Sequence, residues 1–85
     1  MYYFYILYSE TLDKYYYGHS NNLDDRLRKH NANNKGWTGK AHDWTIVYHE
    51  IFETKGDAYS REIQIKKWKN RERIKSLIRG FDAGS

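Results

Sequence analysis

The sequence of 85 residues predicts an α+β domain of order β-β-α-β-α-α. Three observations carry that expectation. An aromatic run near the amino terminus alternates with the period of a strand. The period turns helical inside residues 16–30. Two capping pairs, Asn22 with Asp25 and Thr54 with Asp57, each precede a stretch of helical spacing. The segment YYGHSNNLDDRLRKH, residues 16–30, organises the rest, because the change from strand to helix leaves Tyr16, Gly18, Arg26 and His30 able to converge.

Residues 2–8, YYFYILY, form a strand by composition, with Tyr3, Tyr5 and Leu7 on one face and Phe4, Ile6 and Tyr8 on the other. Both faces are apolar enough to be covered. Residues 9–13 are polar and short, so residues 14–19 should return as an antiparallel partner. Gly18 near its end serves either a close approach or a plain bend into the next element. Asn22 then caps a helix running to about Asn33, and Asp24 and Asp25 suit its positive end. Leu23 and Leu27 mark its buried stripe. Arg26 and His30, four residues apart, lie along the stripe's edge; they either point at one spot or form a solvated basic end.

Residues 31–43 read as a loop containing KGWTGK, in which Trp37, between Lys35 and Lys40, either stacks on a base or caps the core. Residues 44–52, WTIVYHEIF, are the third strand, and the unbroken apolar centre Ile46-Val47-Tyr48 predicts a central place in the sheet. Residues 58–69 read as the second helix. Asn70 caps a shorter third one through Ile78, which makes residues 1–79 the domain and 80–85 a flexible tail.

Composition narrows the function. With no cysteine and no proline, disulfides and thiolate metal sites are excluded. No apolar run approaches the roughly 18 residues of a membrane span, and the start lacks the pattern of a signal peptide, so the expected setting is the cytoplasm and no membrane partner. The net charge is +4, the pI is about 9.3, and Lys and Arg crowd residues 61–79 against only Glu62 and Glu72. Nine tyrosines accompany that charge. Basic residues interleaved with aromatics favour a nucleic acid as partner.

On the wheel of the second helix Glu62 falls between Ala58 and Ile65 on one side and Tyr59 and Ile63 on the other. An unpaired carboxylate there is costly, so Glu62 requires a partner. Lys66, one turn on, is the ordinary one. Such an i,i+4 pair contributes only about 0.2–0.5 kcal/mol, which is little reason for inward placement and points to a functional partner instead. Two tyrosines on adjacent strands, an arginine and a histidine on one helix and an inward acid on another suit phosphodiester hydrolysis. That reaction needs a proton acceptor for water, positive charge for the phosphate and an acid to hold a divalent cation. One carboxylate with phosphate and water suits Mg2+, or Mn2+. The four histidines lack zinc spacing. There is no glycine-rich phosphate loop and no nucleophile-elbow serine, and no small-molecule cofactor is expected.

These residues resemble the GIY-YIG endonucleases, in particular small bacterial proteins made of that nuclease domain alone, over residues 2–78. The first motif stands here as Tyr3-Phe4-Tyr5, without its glycine but with its tyrosine, and the second as Tyr16-Tyr17-Gly18. NLDDRLRKHN resembles the family's arginine and histidine helix, and DAYSREIQIKKWK its metal-binding segment. The resemblance implies a three-stranded antiparallel sheet flanked by helices, and DNA hydrolysis with one divalent metal ion. It also implies roles: Tyr5 as general base, Tyr16 bonding phosphate or water, Arg26 stabilising the transition state, His30 assisting proton transfer or orienting Tyr5, and Glu62 as metal ligand. Asn70 is a possible counterpart of a further asparagine at shorter spacing.

Family members with known targets generally carry further DNA-binding or partner domains, so low sequence selectivity is expected here, with DNA repair or recombination as the setting. Lys35, Trp37, Lys40, Lys66, Lys67 and Lys69 are the candidate nucleic-acid contacts, the helical ones serving backbone phosphates or only water. Two other readings share the fold: a nucleic-acid-binding module that cuts weakly or not at all, and an interaction domain for an acidic protein. The intact set Tyr5, Tyr16, Arg26, His30 and Glu62 argues against both.

Overall fold

The computed structural model describes residues 1–32 and 41–83. Strands β1 (Tyr2–Ser9) and β2 (Lys14–Ser20) form a hairpin, α1 (Leu23–Asn31) follows, β3 (Thr45–Phe52) rejoins the sheet, and α2 (Lys55–Lys66) and α3 (Arg71–Ala83) complete the chain. The order β-β-α-β-α-α and the antiparallel three-stranded sheet agree with the sequence.

The place of the third strand does not. The sheet order is β2-β1-β3, so β1 is central and β3 lies at an edge. In β1 the run Phe4, Tyr5, Ile6 and Leu7 is at most 3% exposed, whereas Ile51 of β3 is 55% exposed. The apolar centre of β3 has another explanation. Ile6 pairs with Tyr48 but Leu7 pairs with Ile46, a register shift that leaves Val47 as the extra residue of a bulge. Three consecutive apolar residues are thus accommodated by a local irregularity instead of two fully covered faces.

Alternation along β1 sends side chains into two cores. Phe4 and Ile6 pack with Tyr48, Ile65 and Ile74 beneath α2 and α3. Tyr5 and Leu7 pack with Ala41 and Trp44, and with Leu23 and Leu27 of α1. Both capping pairs form: Asn22 Oδ1 accepts from the Asp25 amide at 3.0 Å and Thr54 Oγ1 from the Asp57 amide at 3.1 Å. α2 begins at Lys55 and stops at Lys66, and α3 extends to Ala83, past Gly80, where the sequence reading began a tail. Phe81 supplies the reason, packing edge-on against Tyr48 and His49 of β3.

Two polar ties hold the hairpin loop. Asp43, just before β3, accepts from Ser9 Oγ at 2.6 Å and from the Thr11 amide and hydroxyl at 2.8 and 2.9 Å. Those bonds, the Ser9 hydroxyl first, hold its carboxyl down at about 2. Asp13, in the left-handed region at φ 51°, bonds Arg71 of α3 and accepts from Tyr8 Oη. At the far edge Arg61 grips Glu50 through Nε and Nη2 at 3.0–3.1 Å, and Tyr48 donates to the same carboxylate. Tyr48 is pushed up to about 12, by burial first and then by that bond.

Candidate active site

Gly18 lies directly across the hairpin from Tyr5. A Cβ at position 18 would stand 2.5 Å from Tyr5 Oη and 2.7 Å from Cζ, well inside contact distance. Close approach is therefore the reason for the glycine, and what approaches is the Tyr5 ring, laid across β2. Tyr5 is only 3% exposed. Burial pushes its phenol far above the usual tyrosine range; Tyr16 and Glu62 add to the rise, and Arg26 opposes it.

α1 has no fully buried residue, so its docking relies on partly buried leucines and on its end. Asn31 bonds the Trp44 backbone in both directions, Nδ2 donating to the carbonyl at 2.9 Å and Oδ1 accepting from the amide at 2.7 Å. Trp44 is itself 1% exposed. A side-chain amide thus makes a strand-like pair with the residue just before β3 and fixes the last turn of α1, where His30 sits. His30 Nε2 lies 3.1 Å from Tyr5 Oη, and its ring centroid is 4.5 Å from that of Tyr16. Burial, followed by the nearby Arg26 charge, lowers the His30 pKa and favours the neutral ring, of which the Nδ1–H tautomer accepts the phenol proton at Nε2.

Glu62 is 7% exposed, on the inward face of α2 with Ala58 and Ile65. It has two partners. Lys66 Nζ donates to Oε2 at 2.7 Å, the pairing the helical spacing names, and His19 Nδ1 meets Oε1 at 2.7 Å. His19 is a residue the sequence reading considered only for zinc. Its available signal was alternation: on β2 it follows Tyr15 and Tyr17 onto the face that α2 covers. Tyr59 lies beside it with ring centroids 5.2 Å apart.

Tyr5, Tyr16, Gly18, Arg26, His19 and Glu62 line one open pocket of about 430 Å³, with Lys55 at its margin. His30 stands behind Tyr5, joined to it by the hydrogen bond. All five residues singled out for chemistry thus come to one place. The nucleic-acid candidates do not. Lys66 and Lys69 line a second cleft beside Tyr15 and Tyr17, while Lys67 faces a groove with Ile63 and Trp68. Lys35, Trp37 and Lys40 lie outside the described residues. Asn70 lines the second cleft and caps α3, accepting from the Arg73 amide at 3.2 Å.

Among the described residues no cluster of three His, Asp or Glu side chains stands ready for a metal. A buried carboxylate opening on a polar pocket still fits an ion that takes most of its shell from water and phosphate, as Mg2+ does. The Lys66 side chain is 51% exposed and can swing from Oε2 into solvent.

The family model described as the GIY-YIG catalytic domain matches residues 1–75, and the chain belongs to that family. It is similar to a UPF0213 protein of Staphylococcus saprophyticus, 33% identical over 67 residues that cover 76% of this chain and 80% of that one. It also resembles a UPF0213 protein of Staphylococcus haemolyticus, 33% identical over 64 residues covering 73% and 77%. No solved structure is a significant match. Among the described residues no helix is long and apolar enough to cross a membrane.

Proposed function

We propose that this protein is a metal-dependent endonuclease that hydrolyses DNA with low sequence selectivity, using Mg2+ or Mn2+, in DNA repair or recombination. The observation that carries the reading is the 3.1 Å contact between Tyr5 Oη and His30 Nε2, placed at a pocket that also admits Arg26 and the buried Glu62.

A phenol held well above its usual pKa is a poor base by itself. The adjacent neutral imidazole removes that difficulty: Tyr5 takes a proton from water as its own proton passes to His30 Nε2. Arg26, exposed at the pocket, would offer positive charge to the phosphate oxygens, and Tyr16, which lines the same pocket, would bond phosphate or the attacking water. Glu62 would hold the divalent ion, which supplies positive charge to the phosphate and the leaving oxygen. His19, on Oε1, leaves Oε2 as the oxygen from which Lys66 can withdraw.

One observation favours a second reading, a DNA-binding module without useful cutting. Both oxygens of Glu62 are already engaged by cations or donors of the chain itself. The two readings separate on a panel of supercoiled, linear, branched and single-stranded DNA with Mg2+, Mn2+ or chelator, comparing wild type with Glu62→Ala. Cutting that needs both metal and Glu62 supports the nuclease. Salt-sensitive binding without cutting, unchanged in Glu62→Ala, supports the module.

A further inference from the structure

The second cleft, about 270 Å³, lies on the face of β2 that α2 and α3 cover, with Tyr15 and Tyr17 as its floor and Ile65 and Ile74 behind. Its rim is cationic: Lys14, Lys66, Lys69 and Arg71, with no acidic residue among the described residues that line it. Arg71 is engaged by Asp13 and lies over the Tyr15 ring, 5.1 Å from its centroid, while Lys66 reaches Glu62. Among the described residues, no ion pair or side-chain hydrogen bond engages the ammonium of Lys14 or Lys69.

Lys69 adds an independent observation. It holds a left-handed backbone, φ 48°, at the corner between α2 and α3. That conformation strains a residue that carries a Cβ, and glycine or asparagine would adopt it with less strain. Lys69 thus brings its charge to the cleft from a strained corner of the backbone.

The cleft also has a direction. Tyr15 and His19 are both on β2, four residues apart, which is about 13 Å at the ~3.3 Å rise of a strand, and Lys66 stands between the cleft and Glu62. At ~3.4 Å per stacked nucleotide, one strand of about four nucleotides spans that distance. We infer that this cleft is a second backbone-binding site, in which Lys14, Lys69 and the Tyr15 and Tyr17 hydroxyls hold phosphates of a nucleic-acid strand of which a phosphate about four nucleotides further along occupies the Tyr5–Glu62 pocket. The inference rests on the nuclease reading and adds to it the path the strand takes.

The test measures binding of a 16-bp duplex and of its single strand, in chelator so that nothing is cut, across a series of salt concentrations. Wild type is compared with Lys14→Gln/Lys69→Asn, in which asparagine retains the left-handed backbone, and with Arg28→Gln/Lys29→Gln, which removes equal charge from the outer face of α1. The expected result for duplex is a slope of log affinity against log salt reduced by about 2 in the cleft variant, at ~0.9 per phosphate contact, with a much smaller change in the α1 variant. Thermal unfolding of the cleft variant should be unchanged or raised. An unaltered slope on both DNA forms, or an equal reduction from the α1 pair, overturns the cleft while leaving the nuclease reading to its own cutting assay. Failure of wild type to bind either form also overturns the cleft, and the nuclease reading again stands or falls by cutting with metal present.

Discussion

Gly18 and Tyr5 occupy one space, and that fact governs the chemistry available at the pocket. Gly18→Ala puts a methyl group against the phenol, so the Tyr5 ring must shift, and its contact with His30 shifts with it. Overpacking of this kind destabilises by about 1–3 kcal/mol. We expect turnover to fall by at least about 100-fold, the scale of a lost acid–base contribution, with DNA affinity little changed. Turnover near wild type would show that the Tyr5–His30 contact is dispensable. The lowered pKa of His30 sets a pH limit: its acceptor nitrogen is available above that value and lost below it. The rate should therefore be level near neutrality and fall as pH drops through a value below 6.5. A pH–rate profile of wild type checks this, and His30→Ala should lose the acid limb along with most of the rate. At this scale the sequence was informative about side chains with an unusual location, above all Glu62. It did not reveal His19, because a histidine on a strand is placed by the helix that covers it, and that helix is distant in the chain.

Elements here are joined by side chains acting on backbone as much as by apolar faces. Asn31 ties the end of α1 to the residue just before β3, and Asp43 ties the segment before β3 to the β1–β2 loop. Asp43 also makes a pH statement. Its folded pKa, about 2, lies below the ordinary aspartate value, so its stabilising contribution is present above about pH 4 and is lost as pH falls towards 2. Denaturant melts between pH 4 and 2 should show that loss in wild type. Asp43→Asn should be less stable at pH 7 and show a shallower acid decline; equal slopes would remove Asp43 from the acid response. The capping pairs were readable because they are local, and both formed as read. The edge position of β3 was not, because a bulge and a central strand leave the same apolar signature along a single chain.

For the molecule as a whole, the notable feature is a core divided by its own central strand. β1 contributes Phe4 and Ile6 to one side and Tyr5 and Leu7 to the other, so neither cluster can form without it. A single cooperative transition follows. With Trp37 replaced by Phe, the variants Trp44→Phe and Trp68→Phe leave one indole on each side of the sheet. Their fluorescence transitions should coincide with each other and with far-ultraviolet circular dichroism; separated midpoints would mean the two layers unfold independently. The sequence by itself determined what depends on neighbours along the chain: the periods of strands and helices, their caps, the inward place of Glu62 and the ordered residues that resemble the family. Tertiary structure alone decided which strand is central, which ring fills the space above Gly18, that His19 meets Glu62, and that Lys69 shares a cleft with Tyr15. Each of those depends on a distance between segments remote in the chain, and such distances exist only once the sheet has closed and the helices have packed against it.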